Sequence, residues 1–166
     1  MRIAPVLIVI ALFASYVLAR VGEAPEEATK RYGLPHESRP GTYSNTSTRI
    51  YIKDGIRIDA TFMMSKSGKS IIGEIKYLLP KEMTQSNEVA KAVMTQLLEV
   101  NSGGQVWEFK RNLPTIQDYS RPDAVASMSP TRLTITLNEY TDYITAEKSR
   151  IGAEQASKID KNIKEF

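Results

Sequence analysis

From Ile56 to Phe62 apolar and polar residues alternate, with Ile56, Ile58, Ala60 and Phe62 on one side and Arg57, Asp59 and Thr61 on the other. Period-two alternation predicts a strand with one buried face. Ile50 and Ile52 alternate in the same way before it, and Ile71, Gly73, Ile75 and Tyr77 follow it, so the pattern predicts a three-strand antiparallel meander. Two turn lengths fit between its first two strands. A two-residue Asp54-Gly55 turn pairs Ile52 with Arg57 and sets the apolar rows on opposite faces. A three-residue Lys53-Asp54-Gly55 loop pairs Ile52 with Ile56 and Ile50 with Ile58, and puts Gly55 at the left-handed position that such a loop wants. Pattern and turn chemistry favour the three-residue loop. A second turn around Ser65–Gly68 sets Phe62 opposite Ile71, Ala60 opposite Gly73 and Ile58 opposite Ile75. The Ala60/Gly73 pair leaves a shallow place where a helix can come close.

Helical spacing brackets this meander. In Gly22–Pro35, Pro25 suits the first helical position, and Glu26 and Glu27 suit the positive end of the dipole. Ala24, Ala28 and Tyr32 form a narrow stripe, and Gly33 with Pro35 ends the helix. Residues His36 to Ser47 are polar and read as a loop. After Pro80, Val89, Val93, Leu97 and Val100 recur on one stripe with Met94 and Leu98 beside it, which predicts a helix over Thr84–Val100. It is expected to cover the meander near Gly73. A second meander follows, made of Val106–Arg111, Ala124–Met128 and Arg132–Asn138. A turn at Ser129-Pro130-Thr131 pairs Met128 with Leu133 and Ala126 with Ile135. Asn112–Asp123, with Pro114 and Pro122, reads as a long loop.

The expected fold class is α+β, with antiparallel meander sheets, helices packed on one face and a C-terminal helix. Residues 22–79 and 84–138 share an order that permits a tandem α-βββ repeat. Both fall in one α+β domain over residues 20–140. Residues 141–166 are rich in Lys, Glu and Ala, and read as a charged helix or tail that docks loosely or projects.

The first residues change the picture of where this domain works. Arg2 is followed by an apolar run that ends in Val17-Leu18-Ala19, and charge resumes at Arg20. That is the pattern of a secretory signal peptide over residues 1–19, with cleavage after Ala19. The protein is therefore expected to be secreted or periplasmic. Ile3–Ala19 is at the short end of what spans a bilayer, and Pro5 weakens a spanning helix, so an uncleaved membrane tether is the lesser reading. The mature part, about 150 residues, is long enough to bury a core without staples. The chain has no cysteine, which excludes disulfides, thiolate metal sites and thiol nucleophiles. Its formal net charge of +3 is spread along the chain without a basic cluster, so no nucleic-acid partner is expected.

Candidate chemistry is sparse. Ser67-Gly68-Lys69-Ser70 resembles the end of a phosphate loop, but Met63 stands where glycine is needed and a strand follows, so it reads as a hairpin turn. His36, the single histidine, lies in a loop with no ligand or triad partner marked by spacing. Asp59, Glu74 and Glu108 could pair as carboxylates facing a cleft. Asp59 and Glu74 alternate with the apolar rows, however, and read as solvent-side residues. No catalytic residue, metal ligand or cofactor is assigned. Trp107, Phe109 and Tyr119 form the richest aromatic stretch, with Arg111 and Arg121 nearby. Trp107 and Phe109 read first as core of the second meander. Tyr119, with Arg121 and Trp107, is the candidate contact for a protein partner. Asn45-Thr46-Ser47 fits the glycosylation sequon.

Gly22, Glu26, Ala28, Gly33 and Pro35 reproduce the spacing of the helix-and-stop that opens the SmpA/OmlA-type small outer-membrane lipoproteins, and the first helix resembles that segment. The chain departs from it in lacking a lipidated cysteine and in having Ala24 at the capping position. Its layout is similar to tandem helix-plus-sheet modules such as the β-lactamase-inhibitor-like proteins, and to exported bacterial proteins of that plan. The resemblance implies an exported module that binds other proteins. The expectation is thus a non-enzymatic protein-binding or envelope-structural module. Its contact surface is the open sheet face or the Asn112–Asp123 loop. The alternatives are a small-ligand or carboxylate-dependent hydrolytic domain, and a membrane-tethered scaffold.

Overall fold

A computed structural model of the chain describes residues 20–164; the expected leader and its cleavage site at Ala19 lie outside them. After helix α1 (Pro25–Tyr32) come strands β1 (Glu37–Pro40), β2 (Ser47–Lys53), β3 (Ile56–Met64) and β4 (Ser70–Leu78). A single turn, α2 (Lys81–Thr84), leads into α3 (Asn87–Val100). Strands β5 (Glu108–Asn112), β6 (Gln117–Arg121), β7 (Ala124–Met128) and β8 (Arg132–Leu137) follow, then α4 (Asn138–Lys164). The strands form one antiparallel sheet in the order β1-β2-β3-β4-β8-β7-β6-β5. Each half is a helix followed by a four-strand meander, and the halves join where β4 pairs with β8, Ile75 opposite Ile135.

Each half thus has one strand more than the pattern predicts. The additions, β1 and β6, fall in the two segments read as loops. Neither carries an apolar alternation. β1 is an exposed edge, and β6 turns Gln117, Tyr119 and Arg121 toward the helices, opposite Met128, Ala126 and Ala124. These side chains reach the interior through stems and rings that end in a polar group.

The β2–β3 turn corrects the expected register. Asp54 (φ 52) and Gly55 (φ 78) are both left-handed, which makes the two-residue turn whose twist suits a hairpin. Lys53 pairs with Ile56 and Ile52 with Arg57, so Tyr51 takes the core position opposite Ile58. Ile50 and Ile52 consequently lie on the other face, and Ile52 is 51% exposed. What the helix side of β2 carries is Arg49, Tyr51 and Lys53. The Arg49 guanidinium lies 5.1 Å from the Phe62 ring centre, Tyr51 meets Tyr32 at 5.3 Å, and Lys53 Nζ donates to Arg31 O at 2.6 Å. Long cationic stems cover apolar surface here, which an alternation of isoleucines does not reveal.

The β3–β4 register also differs. Ile58 faces Tyr77, Ala60 faces Ile75, and a bulge opposite Thr61/Phe62 brings Ile72, not Ile71, to Phe62. The β7–β8 pairing is the expected one, with Met128 opposite Leu133 and Ala126 opposite Ile135.

The main core lies between the sheet and helices α1 and α3. Ile58, Ile75, Tyr77, Leu133 and Ile135 from the strands meet Ala28 and Tyr32 of α1 and Val93, Met94 and Leu97 of α3. Ser86 caps α3, its hydroxyl accepting from Val89 N at 3.4 Å. The first turns of α4 reach the opposite face. A Cβ at Gly73 would lie 2.8 Å from the Tyr140 ring and 3.0 Å from Met63 Sδ, so the helix approaching Gly73 is α4, not α3. The Tyr143 hydroxyl donates to Ser44 O in the β1–β2 loop. From Lys148 to Ile159 every residue of α4 is exposed; Arg150 Nη2 donates to Ser44 Oγ at 3.3 Å, and beyond it the helix projects from the domain. Among the described residues no helix is long and apolar enough to cross a membrane.

Candidate protein-contact surface

The C-terminus of α3 is fastened by side chains from three other segments. The carbonyl of Leu97 accepts from Asn101 Nδ2 (2.7 Å), that of Leu98 from Trp107 Nε1 (2.9 Å), and that of Val100 from Arg20 Nε (3.1 Å). Arg121 Nη1 donates to Asn101 O. Two of these donors are cations, which also suit the negative end of the helix dipole. Asn101 is fully buried, and its Nδ2 donates to the Tyr77 hydroxyl at 3.0 Å, which in turn lies 3.1 Å from the Tyr32 hydroxyl. Burial pushes the Tyr77 pKa up to about 12.

This arrangement decides the roles of the three candidate contact residues. Arg121 is only 7% exposed. Its guanidinium lies 4.9 Å from the Trp107 ring centre and pairs with Asp123 at 2.7 Å. Arg121 therefore orients Trp107 from beneath, and it is not available as a surface contact. Trp107 and Tyr119 are half-buried, and both line an open cleft with Leu98 and Val106.

Around them β5 and the segments at its two ends expose apolar groups. Val106 is 80% exposed, Phe109 55% and Leu113 42%. Phe109 meets Tyr119 edge-on at 5.6 Å. Phe109 is therefore a surface residue and does not fill the core of the second meander, because β5 is the outermost strand and extends past α3. On the same flank a groove of about 200 Å³ opens between α3 and the β5–β6 turn, with Met94, Leu113, Ile116 and Met128 among its lining. The sequence pattern places Val106 in a strand and Leu113 in the Asn112–Asp123 contact loop, but it singles out neither as a contact and does not reveal this groove. The missing signal was β6, whose pairing with β5 makes a hairpin of Glu108–Arg121. The free edge of β5 is poorly suited to accept another strand. A register shift at Lys110 interrupts it, and Lys110 and Arg111 are charged.

The open face of the sheet is different in kind. Arg57 pairs with Asp59 (2.8 Å), Lys76 with Glu74 (2.7 Å), and Arg111 with Asp118. The Thr48 and Thr61 hydroxyls meet at 3.2 Å. The Asp118 carboxyl is held below its ordinary range by its hydrogen bond from Arg111. Glu108, on the exposed strand β5, is paired with Lys110 at 2.8 Å. Asp59 and Glu74 are diagonal neighbours across β3 and β4, each tied to a basic residue, whereas Glu108 lies on the outermost strand with Lys110. His36 is exposed, and Ser67-Gly68-Lys69-Ser70 forms the β3–β4 turn, with Gly68 left-handed. Among the described residues no cluster of His, Asp and Glu could hold a metal ion.

No family model, curated protein or solved structure matches the chain.

Proposed function

We propose that the chain is an exported, non-enzymatic protein-binding module, and that its contact surface is the flank formed by α3 and the β5–β6 hairpin. One observation carries this reading. The side chains of Val106, Phe109 and Leu113 stand exposed along the β5–β6 hairpin and the segment leading into it, beside half-buried Trp107 and Tyr119. Aromatic anchors beside a shallow cleft are the composition of binding hot spots. The open face, where Ile52 and Val125 are exposed among internally paired charges, supports a contact role less well. The export half of the proposal rests on the leader pattern of residues 1–19.

A photo-reactive residue placed at Phe109 should crosslink a partner in cells that make the protein, whereas one at Thr134 on the open face should not. Equal yields at both positions, or capture only at Thr134, would refute the assignment. Mass measurement of the recovered chain should give an N-terminus at Arg20. An intact Met1 would favour the tethered alternative. The small-ligand alternative would use the open cleft beside Trp107 and Tyr119, about 380 Å³ against roughly 300–1,000 Å³ for ordinary ligand pockets. The groove beside Met94, about 200 Å³, suits one inserted side chain better.

A further inference from the structure

The groove beside α3 has an uneven chemistry. Its apolar part is made by Met94, Leu113, Ile116 and Met128, and its rim carries Asn87, Lys91, Asn112 and Gln117. No carboxylate lines it. Among the described residues, no hydrogen bond or ion pair engages Lys91 or the amides of Asn87 and Asn112. The Gln117 carbonyl oxygen accepts from the Tyr119 hydroxyl at 3.2 Å, which leaves its NH₂ group available. Lys91 and three carboxamides therefore surround an apolar slot that no carboxylate lines.

We infer that this groove receives a segment of the protein partner in which a bulky apolar side chain stands next to an aspartate or glutamate. The inference rests on the protein-binding reading above and adds the chemistry of what is bound. The apolar side chain seats against Leu113 and Ile116, over a floor formed by the buried Met94 and Met128. The neighbouring carboxylate meets Lys91 and the rim amides, which form charge-assisted hydrogen bonds to it. Met94 is fully buried, so the slot has a packed floor.

Dye-labelled peptides carrying a leucine beside an aspartate test this by fluorescence anisotropy. The controls are the same peptides with lysine for the aspartate or serine for the leucine, and octanoate as a free acid. The aspartate peptide should bind about fivefold more tightly than the lysine peptide, the scale of one exposed charge pair. Lys91→Glu, a surface change with the fold checked by thermal melting, should invert that preference. Ile116→Ser should weaken both peptides. Equal binding of the two peptides, or a preference that survives Lys91→Glu, would overturn the inference. Displacement of the peptide by octanoate at equal concentration would also overturn it, since the occupant would then be a small acid. The two proposals fail separately. Crosslinking at Phe109 with no acid preference removes only the inference, and loss of that crosslink removes the reading beneath it.

Discussion

Gly73→Ala probes the contact that holds α4 to the sheet. The backbone at Gly73 is not in the left-handed region, so alanine is not strained there and the effect is steric. Its new Cβ would sit 2.8 Å from Cγ and Cδ2 of Tyr140 and 3.0 Å from Met63 Sδ. Carbon atoms pack best at about 3.5–4.0 Å, so the Tyr140 ring must retreat by roughly 1 Å. Met63 can rotate away, but Tyr140 is only 5% exposed and is anchored in the first turn of α4. Overpacking of this kind costs about 1–3 kcal/mol. Alanine recovers about 0.4–1 kcal/mol by restricting the unfolded chain. The net loss is about 1–2 kcal/mol, which for a domain of this size lowers Tm by roughly 3–7 °C.

Urea unfolding followed by circular dichroism measures this loss, and a double-mutant cycle with Tyr140→Ala identifies its source. Tyr140→Ala alone should cost about 3 kcal/mol, as for other buried aromatic truncations. In that background Gly73→Ala should be neutral or slightly stabilising, because the ring it strikes is gone. The coupling is then about 2 kcal/mol. If Gly73→Ala costs the same with and without Tyr140, the two residues do not touch and the placement of α4 on this face is wrong.

Other predictions concern the turn, the buried tyrosines, the projecting helix and Arg121. With Asp54 and Gly55 both left-handed, Gly55→Val should cost about 1–2 kcal/mol and Gly55→Asn much less, by urea unfolding. Equal losses would contradict the two-residue turn. Tyr77 keeps its proton in the folded chain up to about pH 12, whereas the unfolded chain sheds it near 10, so stability is intact below pH 10 and falls as pH rises through 10–12. The loss from this group is about 3 kcal/mol, and Tyr140, also raised to about 12 chiefly by burial, acts in the same sense. A urea midpoint that stays flat from pH 9 to 12 would contradict this burial. Truncation after Lys148 should leave Tm within about 2 °C, because the residues from there to Ile159 are exposed. Arg121→Leu should lower Tm and shift the Trp107 emission to the red, since the ring loses the cation that holds it over the end of α3.

Some of this molecule was already written in its residue pattern. Pro25 and Gly33 bound α1 wherever the helix packs, because proline fixes the start and glycine the exit. The Ile56–Phe62 alternation makes a half-buried strand, and the Val89–Leu98 stripe makes a helix with one buried face. Both follow from periods that any sheet or helix must obey. Local chemistry could also exclude: a chain without cysteine and with one histidine has few routes to a metal site.

Tertiary contacts decided the rest. The β2–β3 register depended on whether Ile52 or Tyr51 faces the core, and that was settled by Tyr32 of α1 and by an acceptor for Lys53 at the end of that helix. Strand β6 has no alternation of its own and exists because β5 and β7 pair with it on either side. The roles of Arg121 and Phe109 were exchanged for the same reason. Arg121 is buried because the carbonyls ending α3 need donors, and Phe109 is exposed because no helix reaches the outermost strand. A pattern along the chain records which face is apolar, but what lies against that face is set by residues far away in sequence.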